Sequence, residues 1–271
     1  MTDHKESEVN KMTTKIIFVL CEARTGSTLL CQLLAHYKNV INFHEIFHKV
    51  DGGLNNDVFK TSYSFNKVLE DRYGDGAINQ QKIYSEIAKD PKQLMTLMRD
   101  HFKETLVVKI HLSQLLSYTY PIGRILDYLL TQPDNEFILL KRNFLESYIS
   151  LLKAQKSDIW FNIDTTNTKI AINPNRFNHE SAKYEREYYN IEKKLQEHNI
   201  DYLNIDYDKD LKNYNITEFE QLVEPWSTRR GINLTSTEGS PYIKVKKQNT
   251  NDDISDSISN WEEVKTMIGK H

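Results

Sequence analysis

The segment Lys15–Leu34, KIIFVLCEARTGSTLLCQLL, constrains this chain more than any other. Its apolar run Ile16–Leu20 has the length and β-branched content of a buried parallel strand. The turn Glu22-Ala23-Arg24-Thr25-Gly26 follows, and Ser27 and Thr28 then open a helix with Leu29, Leu30, Leu33, Leu34 and Tyr37 on one face. A strand that ends at a glycine-bearing turn and a helix N-terminus presents unpaired N–H groups and partial positive charge to an anion. Arg24 adds a planar, permanently charged fork suited to phosphate or sulfate. The segment therefore reads as an anion-handling loop. The nucleotide triphosphatase pattern G-x-x-x-x-G-K-[ST] is absent: the turn has a single glycine and no lysine beside its hydroxyls.

Other runs repeat the alternation of strand and helix. Asn39–Phe43, Leu106–Ile110, Glu136–Leu140 and Tyr202–Ile205 read as strands. Helical patterns run over Ile83–Phe102, after each of the two middle strands, over 179–198 with Tyr184, Tyr188, Ile191 and Leu195 as the buried stripe, over Glu218–Trp226, and from Trp261. This order predicts an α/β fold with a mostly parallel central sheet flanked by helices. A single domain over 15–271 is expected, after a disordered lead-in at 1–14. Residues of about 50–105 form the expected acceptor-binding cap, and 244–260 a mobile segment covering the cofactor.

The charge balance excludes some partners. With 35 basic and 38 acidic residues the net charge is −3, so no global field favours nucleic acid or an anionic membrane. No stretch has the length of a membrane span. Only two cysteines, Cys21 and Cys31, are present, which gives no disulfide framework and fits a reducing, cytoplasmic setting.

Two further constellations belong with the loop. Arg142 lies at the carboxyl end of the strand Glu136–Leu140, where open α/β sheets bind ligands, and Ser150 follows eight residues later in a helix. Such a pair can grip one phosphate from two directions. In Val107–Leu112 (VVKIHL), alternation places Lys109 and His111 on one side of a strand end, a pairing suited to sulfate contact and proton transfer.

Together these residues resemble the PAPS-dependent sulfotransferases. Arg24-Thr25-Gly26-Ser27-Thr28 matches the family's K/R-[ST]-G-[ST]-[ST] loop for the 5′-phosphosulfate, and RTGSTLL looks most like the bacterial enzymes that sulfate trehalose glycolipids and nodulation-factor oligosaccharides. Arg142 and Ser150 match the spacing of the 3′-phosphate motif, and Lys109-Ile110-His111-Leu112 resembles the K-T-H-L segment whose histidine is the general base. Lys247, within Lys246-Lys247-Gln248, resembles a basic contact to the 3′-phosphate. The resemblance implies a P-loop-like sulfotransferase fold. It also implies a sulfotransferase taking PAPS, without a required metal, and passing its sulfuryl group to a small-molecule acceptor, with a homodimer as its assembly. It carries over Arg24 as stabiliser of the transferring group and Lys109 as sulfate contact. Glu45 matches a glutamate that contacts the acceptor in the bacterial branch, which makes it a rival to His111 as base.

A competing motif overlaps Glu45. His44-Glu45-Ile46-Phe47-His48 is a literal H-E-x-x-H, the zinc hydrolase signature, which needs both histidines on one face of a helix and a third ligand. His44, Glu45, Asp51, Asp57, Asp71 and Asp75 together suggest an acidic cap for a cationic natural product such as a guanidinium alkaloid.

Overall fold

The computed structural model describes residues 14–47, 49–50, 53–54, 90–160, 164–236 and 253–268. Most of the expected cap, the basic segment with Lys247, His48, and the lead-in up to residue 13 lie outside the described residues.

Five strands form one parallel sheet in the order β2-β5-β1-β6-β7: β1 Ile16–Cys21, β2 Val40–Asn42, β5 Thr105–His111, β6 Asn135–Lys141 and β7 Leu203–Asp206. A separate antiparallel hairpin pairs β3, Lys49–Val50, with β4, Gly53–Leu54. All six residues of β1 are fully buried, as expected of a central strand covered on both faces.

The sheet's alternation sorts two cores. Ile16, Phe18 and Leu20 face one side with Leu106, Val108, Ile110, Phe137 and Leu139. Helices α2 (Pro91–His101), α3 (Leu112–Leu115), α4 (Leu126–Thr131) and α6 (Pro174–Glu197) cover that side. Ile17, Val19 and Cys21 face the other, under α1 (Ser27–Leu34) and α7 (Ile216–Arg229). A third cluster joins α5 (Phe144–Ser157) to Ile170, Ile172 and α8 (Trp261–Ile268).

The expected stripe of the long helix is buried, but the helix starts at Pro174 and not at 179. Asn173 caps it by accepting from the Arg176 N–H, and proline at the first helical position costs no hydrogen bond. Of the expected mobile segment 244–260, only 253–260 is described, and that part is anchored. Ile258 bridges to Ile170, Asn260 bonds both backbone groups of Ile172, and Ser257 is fully buried. Lys153, 1% exposed on α5, fastens the same segment by donating to the Thr165 carbonyl at 2.9 Å and Ser257 Oγ at 3.0 Å.

The chain leaves β1 for β2 and β5 on one side and returns for β6 and β7 on the other. This places a topological switch at the carboxyl end of β1, the position where such sheets take ligands. Glu22, His111 and Arg142 all stand at that edge, one residue past β1, at the end of β5 and one residue past β6.

Candidate active site

The turn after β1 is built from alternating backbone hands. Arg24 (φ 67°) and Gly26 (φ 86°) both lie in the left-handed region. Gly26 suits that region, whereas Arg24 is held there against its own preference, the kind of outlier that collects at functional turns. Gly26 is the N-cap of α1 and offers no side-chain acceptor, so no side chain caps the helix's leading N–H groups. Thr25 is fully buried and its hydroxyl donates to the Glu22 carbonyl at 2.8 Å, which closes the turn and leaves its backbone as its contribution to a ligand.

Tyrosines of α6 hold this edge in place. Tyr188 donates to the Leu140 carbonyl at 2.6 Å and accepts from the Glu22 N–H at 3.3 Å. Tyr184 donates to the Arg142 carbonyl at 2.8 Å and accepts from the Arg142 N–H at 3.2 Å. Burial pushes the Tyr184 phenol up to about 12 and holds Tyr188 well above the ordinary phenol range, so both stay neutral donors. Sequence periodicity shows these residues only as a hydrophobic stripe; the hydroxyl at the tip is the signal that they do more.

Arg24 and Ser150 come together: Arg24 Nε donates to Ser150 Oγ at 3.0 Å, and Nη1 reaches the Trp160 carbonyl. The sequence reading paired Ser150 with Arg142 instead. Arg142 donates to the Arg24 carbonyl at 3.0 Å and to Glu146 at 2.7 Å, and its guanidinium stacks 4.4 Å from the Tyr207 ring. Burial would raise the Glu146 carboxyl, but its bonds to Arg142 and Lys212 hold it below the usual range. Tyr207 in turn lies over Gly26. Burial, and then the neighbouring Arg142 charge, lowers the Arg24 pKa. Two guanidinium groups crowded beside a helix N-terminus form a site that an anion would relieve.

The second group sits on the α1 side of the sheet. Lys109, 6% exposed, makes an ion pair with Glu45 and donates to Thr28 Oγ1 at 3.4 Å. His111 Nε2 lies 3.6 Å from the same Glu45 oxygen. Burial would lower the Lys109 pKa, yet Glu45, with smaller contributions from Cys21 and Cys31, brings the net shift upward, so Lys109 is a fixed cation. Lys109, His111, Glu45 and Thr28 thus converge, with Thr28 linking them to the loop.

Among its described residues the zinc signature has no helix. Glu45 is a bend and Ile46 and Phe47 a turn, His44 has a left-handed φ of 48°, and Glu45 is committed to Lys109. Burial and then the Lys109 charge push the His44 imidazole down to about 4. Asp51, Asp57, Asp71 and Asp75 of the expected acidic cap lie outside the described residues.

Glu22 carries no signature in sequence. Its Oε1 accepts from the Ser113 N–H at 2.7 Å, and its carboxyl is pushed up to about 7 by burial and then by Glu187. A cavity of about 140 Å³ opens beside it, between α5 and α6.

The fold and this edge define a parallel α/β protein with a glycine-bearing turn and an uncapped helix start at its switch point. No family model matches the chain, and no curated protein matches it. Among solved structures it is similar to the "Sulfotransferase Domain from the Synechococcus PCC 7002 Olefin Synthase", with 14% identity over 92% of this chain and 84% of that one and a TM-score of 0.48.

Proposed function

We propose that the chain is a sulfotransferase that moves a sulfuryl group from PAPS to a hydroxyl or nitrogen of a small acceptor. The observation that carries this reading is the crowding of Arg24 and Arg142 against the uncapped start of α1, with Lys109 bonded to Thr28 in the helix's first turn. That is the charge distribution a polyanion carrying a phosphosulfate and a separate phosphate requires.

The residues fit the cofactor, which supplies an activated sulfuryl group when bound. Backbone N–H groups of Thr25, Gly26, Ser27 and Thr28 would hold its 5′ end. Arg24 would stabilise charge on the transferring group. Ser150 and Arg142 would receive the 3′-phosphate, and Lys247 would add a cation from its own segment. Because the reacting group carries its charge on peripheral oxygens, most of the catalysis is position and electrostatics.

Proton transfer falls to His111. Glu45 is neutralised by a buried lysine and is therefore a poor proton acceptor. An imidazole beside that carboxylate is stabilised once it takes a proton. Glu45 then orients His111, and Lys109 fixes Glu45.

Calorimetric titration with 3′,5′-adenosine diphosphate, using 5′-AMP as control, tests the reading. Micromolar binding of the bisphosphate with AMP at least tenfold weaker supports it. Equal binding of both removes the 3′-phosphate site, and no binding of either removes the cofactor.

A further inference from the structure

The cavity beside the loop has a composition that the cofactor does not explain. Its walls are α5, through Phe144, Ser147 and Tyr148, and α6, through Tyr184 and Glu187; Glu22 and Ala23 of the loop close one end. Phe144, Tyr148 and Tyr184 give it an aromatic body, with Phe144 stacked on Tyr148 at 5.5 Å.

Its polar groups are ordered by depth. Glu22 and Glu187 are hydrogen-bonded to one another, and burial followed by like-charge proximity raises Glu22. The Glu187 side chain is 14% exposed, whereas Lys183, 3.8 Å from it, is 41% exposed, and Arg176 is exposed at the rim. Glu187 is therefore less exposed than Lys183 and Arg176, and Glu180 adds a third, half-buried carboxylate to the lining. Ser147 supplies an independent sign of a ligand. It lines the cavity, is 4% exposed, and its Oγ has no hydrogen-bond partner among the described residues. A buried hydroxyl without a partner is destabilising, so a group that bonds it is favoured.

We propose that this cavity seats a primary ammonium or guanidinium group carried on an apolar or aromatic body, held by Glu22, Glu187 and the Ser147 hydroxyl, and that this cation belongs to the sulfuryl acceptor. The acceptor assignment rests on the sulfotransferase reading; the binding itself does not. A cation that displaces the proton held between Glu22 and Glu187 and lies against aromatic faces gains charge-assisted hydrogen bonds and cation–π attraction together. Ala23 is both a cavity wall and the neighbour of Arg24, so a molecule seated here lies beside the loop.

The test is titration of the full chain, without cofactor and at about pH 8, where a carboxyl with a pKa near 7 is mostly ionised. The probes are phenethylamine, 2-phenylethanol and 3-phenylpropionate, which share a body and differ in charge. The amine should bind at least about tenfold more tightly than either of the others. Glu187→Gln should cost about tenfold in amine affinity and Ser147→Ala about threefold or more. Neither should change the affinity for 3′,5′-adenosine diphosphate. An alcohol that binds as well as the amine, a carboxylate that binds better, or no amine binding would each overturn the proposal. Those outcomes are separate from a failure of bisphosphate binding, which would remove the cofactor reading and leave the cation site standing.

Discussion

Gly26→Ala is the sharpest test of how the loop is built. A Cβ at Gly26 would overlap the Tyr207 ring at Cδ2 and Cε2 and would stand 3.3 Å from Cγ. The residue also has φ 86°, which costs an L-residue with a β-carbon about 1–2 kcal/mol. Forcing the half-buried ring aside adds an overpacking term of about 1–3 kcal/mol, because Tyr207 also stacks with the Arg142 guanidinium. The expected destabilisation is about 2–5 kcal/mol, read from urea unfolding with the slope unchanged. The two contributions separate in a Tyr207→Ala background, where only the backbone cost remains and the cycle should give a coupling of about 1–3 kcal/mol. An additive cycle would refute the ring contact. A Gly26→Ala cost below about 0.5 kcal/mol would refute the left-handed backbone as well.

Three further outcomes are expected. Arg24→Ala should lower turnover about 10²-fold or more while the fold persists; near-normal kcat would remove Arg24 from the chemistry. Glu22 holds its proton in the native state at pH values where the unfolded chain has released it. That contribution is complete below about 4.5 and is lost as pH rises through about 7. The stability of Glu22→Gln relative to the native chain should therefore rise by about 3 kcal/mol between those limits, and a flat difference would contradict the raised pKa. Lys153→Met keeps the stem but deletes the ammonium that joins α5 to Thr165 and Ser257. It should destabilise by about 1–3 kcal/mol and expose 253–268 to proteolysis first; an unchanged Tm would deny the tie its role.

Much of the architecture was legible because its signals are local. Ile16–Leu20, Leu106–Ile110 and Glu136–Leu140 are apolar runs that only a doubly covered strand accommodates, and each is a central strand of the sheet. The Asn173-Pro174 start of α6 was also written in the sequence, as an N-cap followed by proline, although the apolar stripe alone begins later. The turn chemistry of Arg24–Thr28 follows from one glycine and a run of hydroxyls, so the turn and the helix start that follows it are sequence properties.

What surrounds the loop could be decided only by tertiary structure. Register between β1 and β5 pairs Cys21 with His111, and the strand pleat then sends Lys109 and His111 to the α1 side. Glu22 follows the opposite face and meets Glu187, far away in sequence. Whether a carboxylate ends beside a lysine, as Glu45 does, or beside another carboxylate, as Glu22 does, depends on strand register and helix rotation. The residue types do not carry that choice. The same holds for Ser150, which accepts from Arg24, and for Arg142, which bonds Glu146 and stacks on Tyr207. Local sequence supplied the backbone of the turn; long-range packing decided which charges stand around it, because electrostatic energies depend on distance and burial and not on order along the chain.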